Sequence, residues 1–496
     1  MSALLAALPI VLLLVLLLGT ELGAAKAAWI ALVSALVLTF SVFGFASTSG
    51  ASAPQNLTGV AAEGAFITAT ILWILLPALA IQALQGRTGA LDVLRDALTS
   101  TTPDAAGKTL LIGWFFALFL EGAAGFGTPL AIVAPMLVAT GVAPVPAVAG
   151  VLLAHTAGVA FGAVGTPVIA QAELTSGSLD DITRYTALLM LALSWVAALF
   201  LLNATRIAEG ALGWRQGIGA AALFGLPYAL VALWIGPELP TLAGALIGGV
   251  MFVVLLRRRH ETAPASRAGL LRAAAPYLVL IALILGTRLV APVKEMTTSV
   301  TWAWTLYGTY SGSVVPLYHP GTLIFAALVV GGRIQGATLS DIARAVFQAA
   351  ERLLPAVVAL IAMLALSRLM LHAGMIAELA QSAVRGVGGA WPAVAPAIGA
   401  LGSFVTGSAT ASNILFTSLQ DQAAASLGLP VAVVLAAQGI GAAIGNAICP
   451  HNIIAGAAAV GAAGREGEIL RRTLAACVLM LVMAGALAFA FAHAAQ

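Results

Sequence analysis

Long apolar runs separated by short polar connections divide this chain from end to end, and they limit the folds open to it. Most runs are about 17 to 22 residues long, which matches a hydrocarbon core of roughly 30 Å at 1.5 Å of rise per helical residue. Membrane-spanning β-strands would be about 10 residues long with alternating polarity. Since 61% of the residues are hydrophobic and only 8% are charged, we predict an all-α polytopic membrane protein.

The hydrophobicity pattern predicts about 10 to 14 transmembrane helices, because some of the runs are expected to be re-entrant. The first run has no Lys or Arg ahead of it, so it is interpreted as a retained helix and not as a secretory signal. Charges at near-helical spacing in 86–100 and 338–352 indicate either amphipathic helices, at the interface or between bundles, or ordinary polar loop helices, and the second interpretation is favoured. The candidate spans are 2–18, 25–45, 61–83, 109–140 (interrupted), 145–164, 185–203, 216–234, 239–256, 273–290, 315–331, 353–372, 391–420 (interrupted), 430–448 and 474–494.

The distribution of Lys and Arg among the short loops predicts the orientation. Loops 204–216, 257–272 and 464–473 are rich in arginine and are expected in the cytoplasm, whereas 171–184 is acidic and is expected outside. The last helix then runs outward and leaves the C-terminus outside.

Two polar, glycine-rich segments interrupt apolar runs, one at Glu121–Pro129 and one at Thr406–Asn413. A continuous helix satisfies its own backbone hydrogen bonds, whereas a broken one exposes N–H and C=O groups. At membrane depth such exposure is tolerated only where the break lines a cavity or is buried in protein. The two breaks therefore predict a substrate site near the middle of the membrane.

The breaks belong to an internal repeat. Gly158, Gly162 and Pro167 match Gly441, Gly445 and Pro450, since 441−158, 445−162 and 450−167 all equal 283. We therefore predict a single integral membrane transporter domain, 1–496. Its repeat cores lie at about 109–170 and 391–456, and each contains a re-entrant hairpin followed by a broken helix. An inverted relation of the halves is favoured by analogy with hairpin-containing carriers, and a parallel one stays open.

At these residues the chain resembles the L-lactate permease family, bacterial lactate and glycolate carriers that are understood as proton symporters. Four family motifs occur in order, at Glu121–Pro129, His155–Pro167, Thr406–Gln420 and Cys449–Ala455, and the likeness extends from about 60 to the C-terminus. The resemblance implies a multi-pass protein of the bacterial plasma (inner) membrane. It implies secondary active transport of a small (hydroxy)monocarboxylate such as L-lactate or glycolate, coupled to protons, by alternating access.

The departures from the family pattern fall within the motifs. Ala409 stands where the family usually has Asp, and Ala411 replaces the serine that follows. His155, Cys449 and His451 stand where Asn, Ser and Gln are usual. One carboxylate is lost and two imidazoles are gained, so both the proton-carrying group and the selected anion stay open.

A small hydroxy-carboxylate needs hydrogen-bond donors, and the broken elements offer backbone N–H groups, helix N-termini and short polar side chains. The candidate substrate-binding residues are Gly122, Gly125, Gly127, Thr128, Thr406, Gly407, Ser408, Thr410, Ser412, Asn413, His451 and Asn452.

Glu121 and His155 are the candidate proton-coupling residues. Burial in a membrane favours the neutral form of a carboxyl group, and a protonated carboxyl can donate a hydrogen bond to an anion. The alternative for Glu121 is a cap on the glycine turn with no titration role.

Charged residues outside the breaks have several readings. Arg288 and Arg368 lie in apolar helices and are interpreted as candidate anion counter-charges or as members of structural ion pairs. Glu63 is expected to snorkel or cap, and His372 to pair within its own helix. Trp302, Trp304 and Tyr307 are expected to be interfacial anchors.

Other classes fit less well. There is no hydrolase motif, no disulfide framework in two cysteines and no basic domain for nucleic acid, and we expect no enzyme activity, no cofactor and no metal. A channel is a weaker alternative than a carrier. The sequence leaves open which carboxylate is moved, whether H⁺ or Na⁺ drives it, the direction of transport and whether the protein forms a homodimer.

Overall fold

The computed structural model describes residues 2–20, 22–45, 51–99, 104–125, 127–205, 212–257 and 267–494. The arginine-rich loop predicted at 257–272 lies largely outside these residues. In the first half of the chain the helices are α1 (Ser2–Gly19), α2 (Ala24–Leu38), α3 (Ala53–Arg87), α4 (Ala90–Thr99), α5 (Ala105–Leu110), α6 (Ala117–Ala123), α7 (Thr128–Ala139), α8 (Pro144–Val159), α9 (Gly162–Ala172), α10 (Leu179–Thr205), α11 (Leu212–Trp234) and α12 (Pro240–Arg257).

The second half contains the only β-structure among the described residues, a two-stranded antiparallel hairpin of β1 (Trp302–Leu306) and β2 (Tyr310–Val314). Its helices are α13 (Arg267–Ala273), α14 (Ala275–Leu289), α15 (Ala291–Thr298), α16 (Pro320–Ile334), α17 (Leu339–His372), α18 (Met375–Val387), α19 (Trp391–Thr406), α20 (Ala409–Ser426), α21 (Val431–Gly445), α22 (Pro450–Ala459) and α23 (Glu466–Ala494).

The predicted fold class, a polytopic helical membrane protein, is confirmed. Within the described ranges nine helices are long and apolar enough to span a bilayer, or up to 11 if each of two bent pairs is one span. One bent pair, α8 with α9, turns by 51° at its break. Short π-helical stretches continue α2 into 39–43 and join α5 to α6 over 111–116.

The segment 338–352 is helical, but the prediction that it forms a separate helix was wrong. This segment is the first half of α17, a continuous 34-residue helix. Its start is stabilised by a reciprocal cap, in which Thr338 Oγ1 accepts from the Asp341 N–H and the Asp341 carboxylate accepts from the Thr338 N–H. The amphipathic segment at 86–100 does form a separate helix, α4.

The β-hairpin was not expected, since the aromatic residues around 302–307 were interpreted as interfacial anchors. Trp302 is indeed 65% exposed, but Trp304 packs edge-to-face on Phe66 of α3, with ring centroids 5.7 Å apart. Tyr310 is buried and its hydroxyl donates to the Asn56 side chain at 2.8 Å. The hairpin is therefore docked on α3.

Glycines allow the helices of the second repeat to approach closely. α19 packs along α21, where Gly441 faces the carbonyl of Pro396 and Gly445 faces the backbone of Ala400 with no room for a Cβ. Helices also cross between the repeats, because α20 packs against α9 and α7 packs against α22. The hairpin of each repeat thus lies against the broken helix of the other.

Candidate functional site

The first break separates α6 from α7. Backbone φ angles of +58° at Gly125 and +73° at Gly127 place both residues in the left-handed region, where a residue with a Cβ is strained. The chain then enters α7 at Thr128, with Pro129 in the first turn, where a missing N–H costs nothing.

The second break, between α19 and α20, also contains a left-handed glycine. Gly407 is left-handed, with φ of +76°, and Ser408 follows as the N-cap of α20. The Ser408 hydroxyl accepts a hydrogen bond from the Ala411 N–H at 3.3 Å. The N–H groups of Ala409 and Thr410, in the first helical turn, have no acceptor within the helix.

The broken helices complete each repeat. At the start of α9, Ala163, Val164 and Gly165 are all left-handed, and a β-branched residue such as Val rarely adopts that conformation. Such strain persists only where surrounding contacts impose it, and it concentrates at functional sites. In the second repeat, a 3₁₀ turn at 446–448 and the Cys449-Pro450 step separate α21 from α22.

All four broken elements contribute to one cavity of about 50 Å³. Gly125 of the first break and Thr410 of the second break both line it, so the two breaks meet, as the repeat predicted. The lining residues are Glu121, Gly125, Gly127, His155, Val159, Gly162, Ala163, Pro167, Gly407, Ser408, Ala409, Thr410 and Asn446.

Glu121 and His155 form a buried pair in this cavity. The carboxylate oxygen Glu121 Oε2 lies 3.4 Å from His155 Nδ1, and the two residues are 5% and 2% exposed. The other ring nitrogen, His155 Nε2, is buried without a hydrogen-bond partner in the described structure. Gly158 and Gly162 form the wall on which Glu121 rests, and a Cβ at Gly162 would collide with its carboxylate.

Seven of the predicted site residues line the cavity: Glu121, His155, Gly125, Gly127, Gly407, Ser408 and Thr410. The other predicted residues of the breaks are not part of that lining, and two of them hold neighbouring carbonyls. Ser412 donates to the Gly399 carbonyl at 2.7 Å, and Asn413 donates to the Pro167 carbonyl at 3.0 Å. Gly122, Thr128, Thr406, His451 and Asn452 are likewise outside the lining set, and Gly122 packs on the backbone of Leu242.

Arg368 lies in a separate buried ion cluster. Its Nη2 is 2.8 Å from Glu63 Oε2, and His372 Nε2 is 2.9 Å from the same oxygen. The backbone N–H of Ser311, in the β-hairpin, donates to Glu63 Oε1 at 3.2 Å. Two expectations were therefore wrong: Glu63 is 3% exposed and ion-paired instead of snorkelling, and His372 pairs across to α3 instead of within its own helix.

Arg288 is also paired outside the cavity lining. It forms a buried ion pair with Glu238, and its guanidinium carbon lies 3.5 Å from the centroid of the Tyr318 ring. Both arginines that were candidate counter-charges thus have carboxylate partners within the protein.

Sequence reasoning missed several lining residues, including Asn446, Ala163 and Val159. A signal for Asn446 was present, because 446−163 equals 283, the same offset that relates the repeated glycines. The position opposite Ala163 in the second repeat therefore carries an amide, and the cavity is polar on that side.

Repeated broken helices that meet at a buried polar cavity, in a fold with many spanning helices, define a multi-pass membrane transporter. The chain belongs to the L-lactate permease family, whose model matches residues 2–494.

Individual relatives agree with this assignment. The L-lactate permease of Streptococcus iniae is 32% identical over 374 residues, covering 72% of this chain and 78% of the relative. The L-lactate permease of Escherichia coli K12 is 28% identical over 478 residues, covering 84% and 83% of the two chains. The glycolate permease of the same strain is 28% identical, with 96% and 92% covered. These relatives are bacterial, and the protein is a multi-pass protein of the bacterial plasma (inner) membrane.

Solved structures resemble the fold at low identity. The MtrF structure of Neisseria gonorrhoeae, described among antimetabolite efflux pumps, has a TM-score of 0.52 at 15% identity and covers 95% of each chain. The YdaH transporter of Alcanivorax borkumensis, described as having an unusual topology, has a TM-score of 0.50 at 13% identity, covering 97% and 98%. They support the architecture alone.

Proposed function

We propose that this protein is a secondary active carrier of a small (hydroxy)monocarboxylate such as L-lactate or glycolate, coupled to protons and working by alternating access. The observation that carries the proposal is the cavity, in which a buried titratable pair, Glu121 and His155, faces the start of α20. The names of the relatives, L-lactate permease and glycolate permease, support the substrate class.

The size of the cavity suits a small anion. A cavity of about 50 Å³ has room for a small anion or ordered water.

The start of α20 supplies donors for a carboxylate. The N–H groups of Ala409 and Thr410 lack helical acceptors, and the partial positive charge of a helix N-terminus favours an anion there. The hydroxyls of Ser408 and Thr410 belong to residues of the same lining and are suited to a second oxygen or to the substrate hydroxyl. An anion can thus be bound without an arginine in the cavity.

Electrostatics explains why a proton should accompany the anion. Two unit charges 4 Å apart repel by about 4 kcal/mol at an effective dielectric constant of 20, which is about a thousandfold in affinity. If Glu121 takes up a proton as the anion enters, the site carries one negative charge both empty and loaded. The carrier then buries no additional charge when it moves its substrate.

His155 fits a supporting role in this transfer. Its Nδ1 faces Glu121, so a proton on the carboxyl or on the ring bridges the two groups, and its unpartnered Nε2 is available to a water or to the substrate. The proton therefore stays in the cavity whether it is bound to the Glu121 carboxyl or to the His155 ring.

The loop charges support an inverted repeat. The acidic segment 171–184, around the connection from α9 to α10, is predicted outside, and the arginine-rich segment 464–473, around the connection from α22 to α23, is predicted inside. The broken helices of the two repeats then run in opposite directions, and their hairpins enter from opposite faces. Each hairpin is therefore suited to gate one side, which is what alternating access requires.

Uptake into proteoliposomes tests the proposal. Radiolabelled lactate, glycolate, pyruvate, acetate and short dicarboxylates are compared under separately imposed proton and sodium gradients. We expect accumulation of lactate or glycolate driven by an inward proton gradient, together with counterflow, in which internal unlabelled substrate accelerates entry of label. Uptake that follows sodium and ignores pH would overturn proton coupling, and the absence of counterflow would favour a channel.

A further inference from the structure

The segment from Gly236 to Leu242, which leads into α12, packs against both broken elements of the first repeat. A Cβ added at Gly165, in the left-handed part of the α8–α9 break, would lie 2.5 Å from the Pro237 carbonyl oxygen. A Cβ at Gly122, in the first hairpin, would lie 2.7 Å from the Leu242 backbone nitrogen. The segment therefore fixes the relative position of the hairpin and the broken helix.

Thr241 makes the one side-chain hydrogen bond of this segment to the break that the described structure shows. Its hydroxyl donates to the Gly158 carbonyl at 2.8 Å, and both Thr241 and Gly158 are buried. Gly158 lies in the last turn of α8, where the break interrupts the helical hydrogen-bond ladder, and the Phe161 N–H reaches the same carbonyl at 3.2 Å. Thr241 thus supplies a second donor to the Gly158 carbonyl beside the break.

Gly158 connects Thr241 to the proton pair. A Cβ built on Gly158 would lie 2.6 Å from Thr241 Cγ2 and 3.4 Å from Glu121 Cγ. The side chains of Thr241 and Glu121 therefore both pack against Gly158. A shift of the Gly158 backbone would move the surface on which the Glu121 side chain rests.

The segment is itself anchored at a distance from the cavity. Glu238 forms its buried ion pair with Arg288 of α14, and Arg288 stacks over Tyr318 just before α16. Glu238 and Arg288 are 5% and 7% exposed, so this anchor is shielded from competing water.

We propose that Thr241 is a positioning residue for transport. Through its hydrogen bond to Gly158 it holds the α8–α9 break in the geometry that aligns Glu121 with His155, and the Glu238–Arg288 pair fixes the segment that carries it. This inference rests on the proposed function, because it assigns Thr241 to the same cavity.

The test compares Thr241→Val, which keeps the shape and removes the donor, with Thr241→Ser, which keeps the donor. Thr287→Val is the matched control, since the buried Thr287 hydroxyl bonds only carbonyls of its own helix, at Leu283 and Ile284. Counterflow of labelled lactate is measured over substrate concentration and pH. We expect Thr241→Val to raise the half-saturation concentration about fivefold and to shift the pH profile, and Thr241→Ser and Thr287→Val to match the parent.

An unchanged half-saturation concentration and pH profile in Thr241→Val, or an equal change in Thr287→Val, would overturn the inference. If Thr241→Val fails to fold, Glu238→Gln is used, which weakens the pair with Arg288 and leaves Thr241 unchanged. We expect this variant to raise the half-saturation concentration. An unchanged half-saturation concentration would also contradict the inference. The parent protein separates this result from the proposed function, because a parent without counterflow refutes the carrier itself, whereas an active parent with an unaffected variant refutes only the role of Thr241.

Discussion

The side-chain amide of Asn413, in the second repeat, donates a hydrogen bond to the Pro167 carbonyl, in the first repeat, at 3.0 Å. Asn413 is fully buried on α20, and Pro167 lines the cavity on α9. The contact joins the hairpin of one repeat to the broken helix of the other, immediately beside the site. If the two repeats move relative to each other, this hydrogen bond must either break or move with both of its partners.

We expect Asn413→Ala to lower the free energy of unfolding by about 1–3 kcal/mol and to weaken substrate binding, because the Pro167 carbonyl loses its donor beside the cavity. Gln171→Ala is the control, since Gln171 also donates across the repeats, to Leu435 O at 2.9 Å, but its acceptor Leu435, unlike Pro167, does not line the cavity. Thermal unfolding in detergent and the half-saturation concentration for counterflow are measured. If both variants change the half-saturation concentration equally, the Asn413–Pro167 hydrogen bond has no special role in substrate binding.

Gly162→Ala should reduce transport strongly, because the new Cβ collides with the Glu121 carboxylate and displaces it from His155. Gly219→Ala, within α11, is the control, since a Cβ there meets nothing within 4 Å and removes only the helix penalty of glycine, about 1 kcal/mol. Initial uptake rates per folded transporter are measured and compared for the two variants and the parent protein. Normal rates in Gly162→Ala would show that the wall does not position Glu121.

The repeat, the two breaks and their meeting at one cavity could be predicted from the sequence because the signals are local. Glycine and polar residues within apolar runs mark where helices break, and a constant offset of 283 residues relates the two broken helices. The spans could be predicted because the length of an apolar run is also a local property of the sequence.

Partners that lie far apart in the sequence could not be predicted. Glu63 meets Arg368 across 305 residues and Glu238 meets Arg288 across 50, and neither pair shares a motif or a periodicity. The β-hairpin was missed because its aromatic residues suit a membrane interface as well as a strand. The strand conformation is favoured by contacts of Tyr310 and Ser311 with α3, and such tertiary contacts cannot be predicted from the local sequence.

We expect Arg368→Met to destabilise the protein by about 3–5 kcal/mol, because it leaves the buried Glu63 carboxylate without its guanidinium partner. The double variant Glu63→Leu/Arg368→Met should recover part of this loss, and substrate affinity per folded protein should not change. Arg344→Met is the control, because solvent screens its pair with Asp341 at the protein surface. A stable Arg368→Met protein with weakened substrate binding would instead make Arg368 a counter-charge to the substrate.

His319 should make stability depend on pH. Burial and, secondarily, the charge of Arg288 lower the pKa of His319 from 6.5 to about 4, and the neutral ring accepts the Gly321 N–H as the N-cap of α16. Between pH 6.5 and 4 the unfolded chain binds a proton that the folded protein does not, so stability falls as the pH is lowered through this window. His319→Asn keeps a capping acceptor and should flatten that slope in thermal unfolding curves. An unchanged slope would contradict a neutral His319.

The most direct measurement of the central claim, that Glu121 carries the coupled proton, is made on Glu121→Gln in proteoliposomes. Glutamine keeps the size and the hydrogen bonding of Glu121 but cannot titrate, so counterflow should persist while proton-driven accumulation of lactate or glycolate disappears. Glu173→Gln, at the end of α9 and outside the cavity lining, should accumulate substrate normally. Full accumulation by Glu121→Gln would contradict the account and move the proton site to His155 or His451.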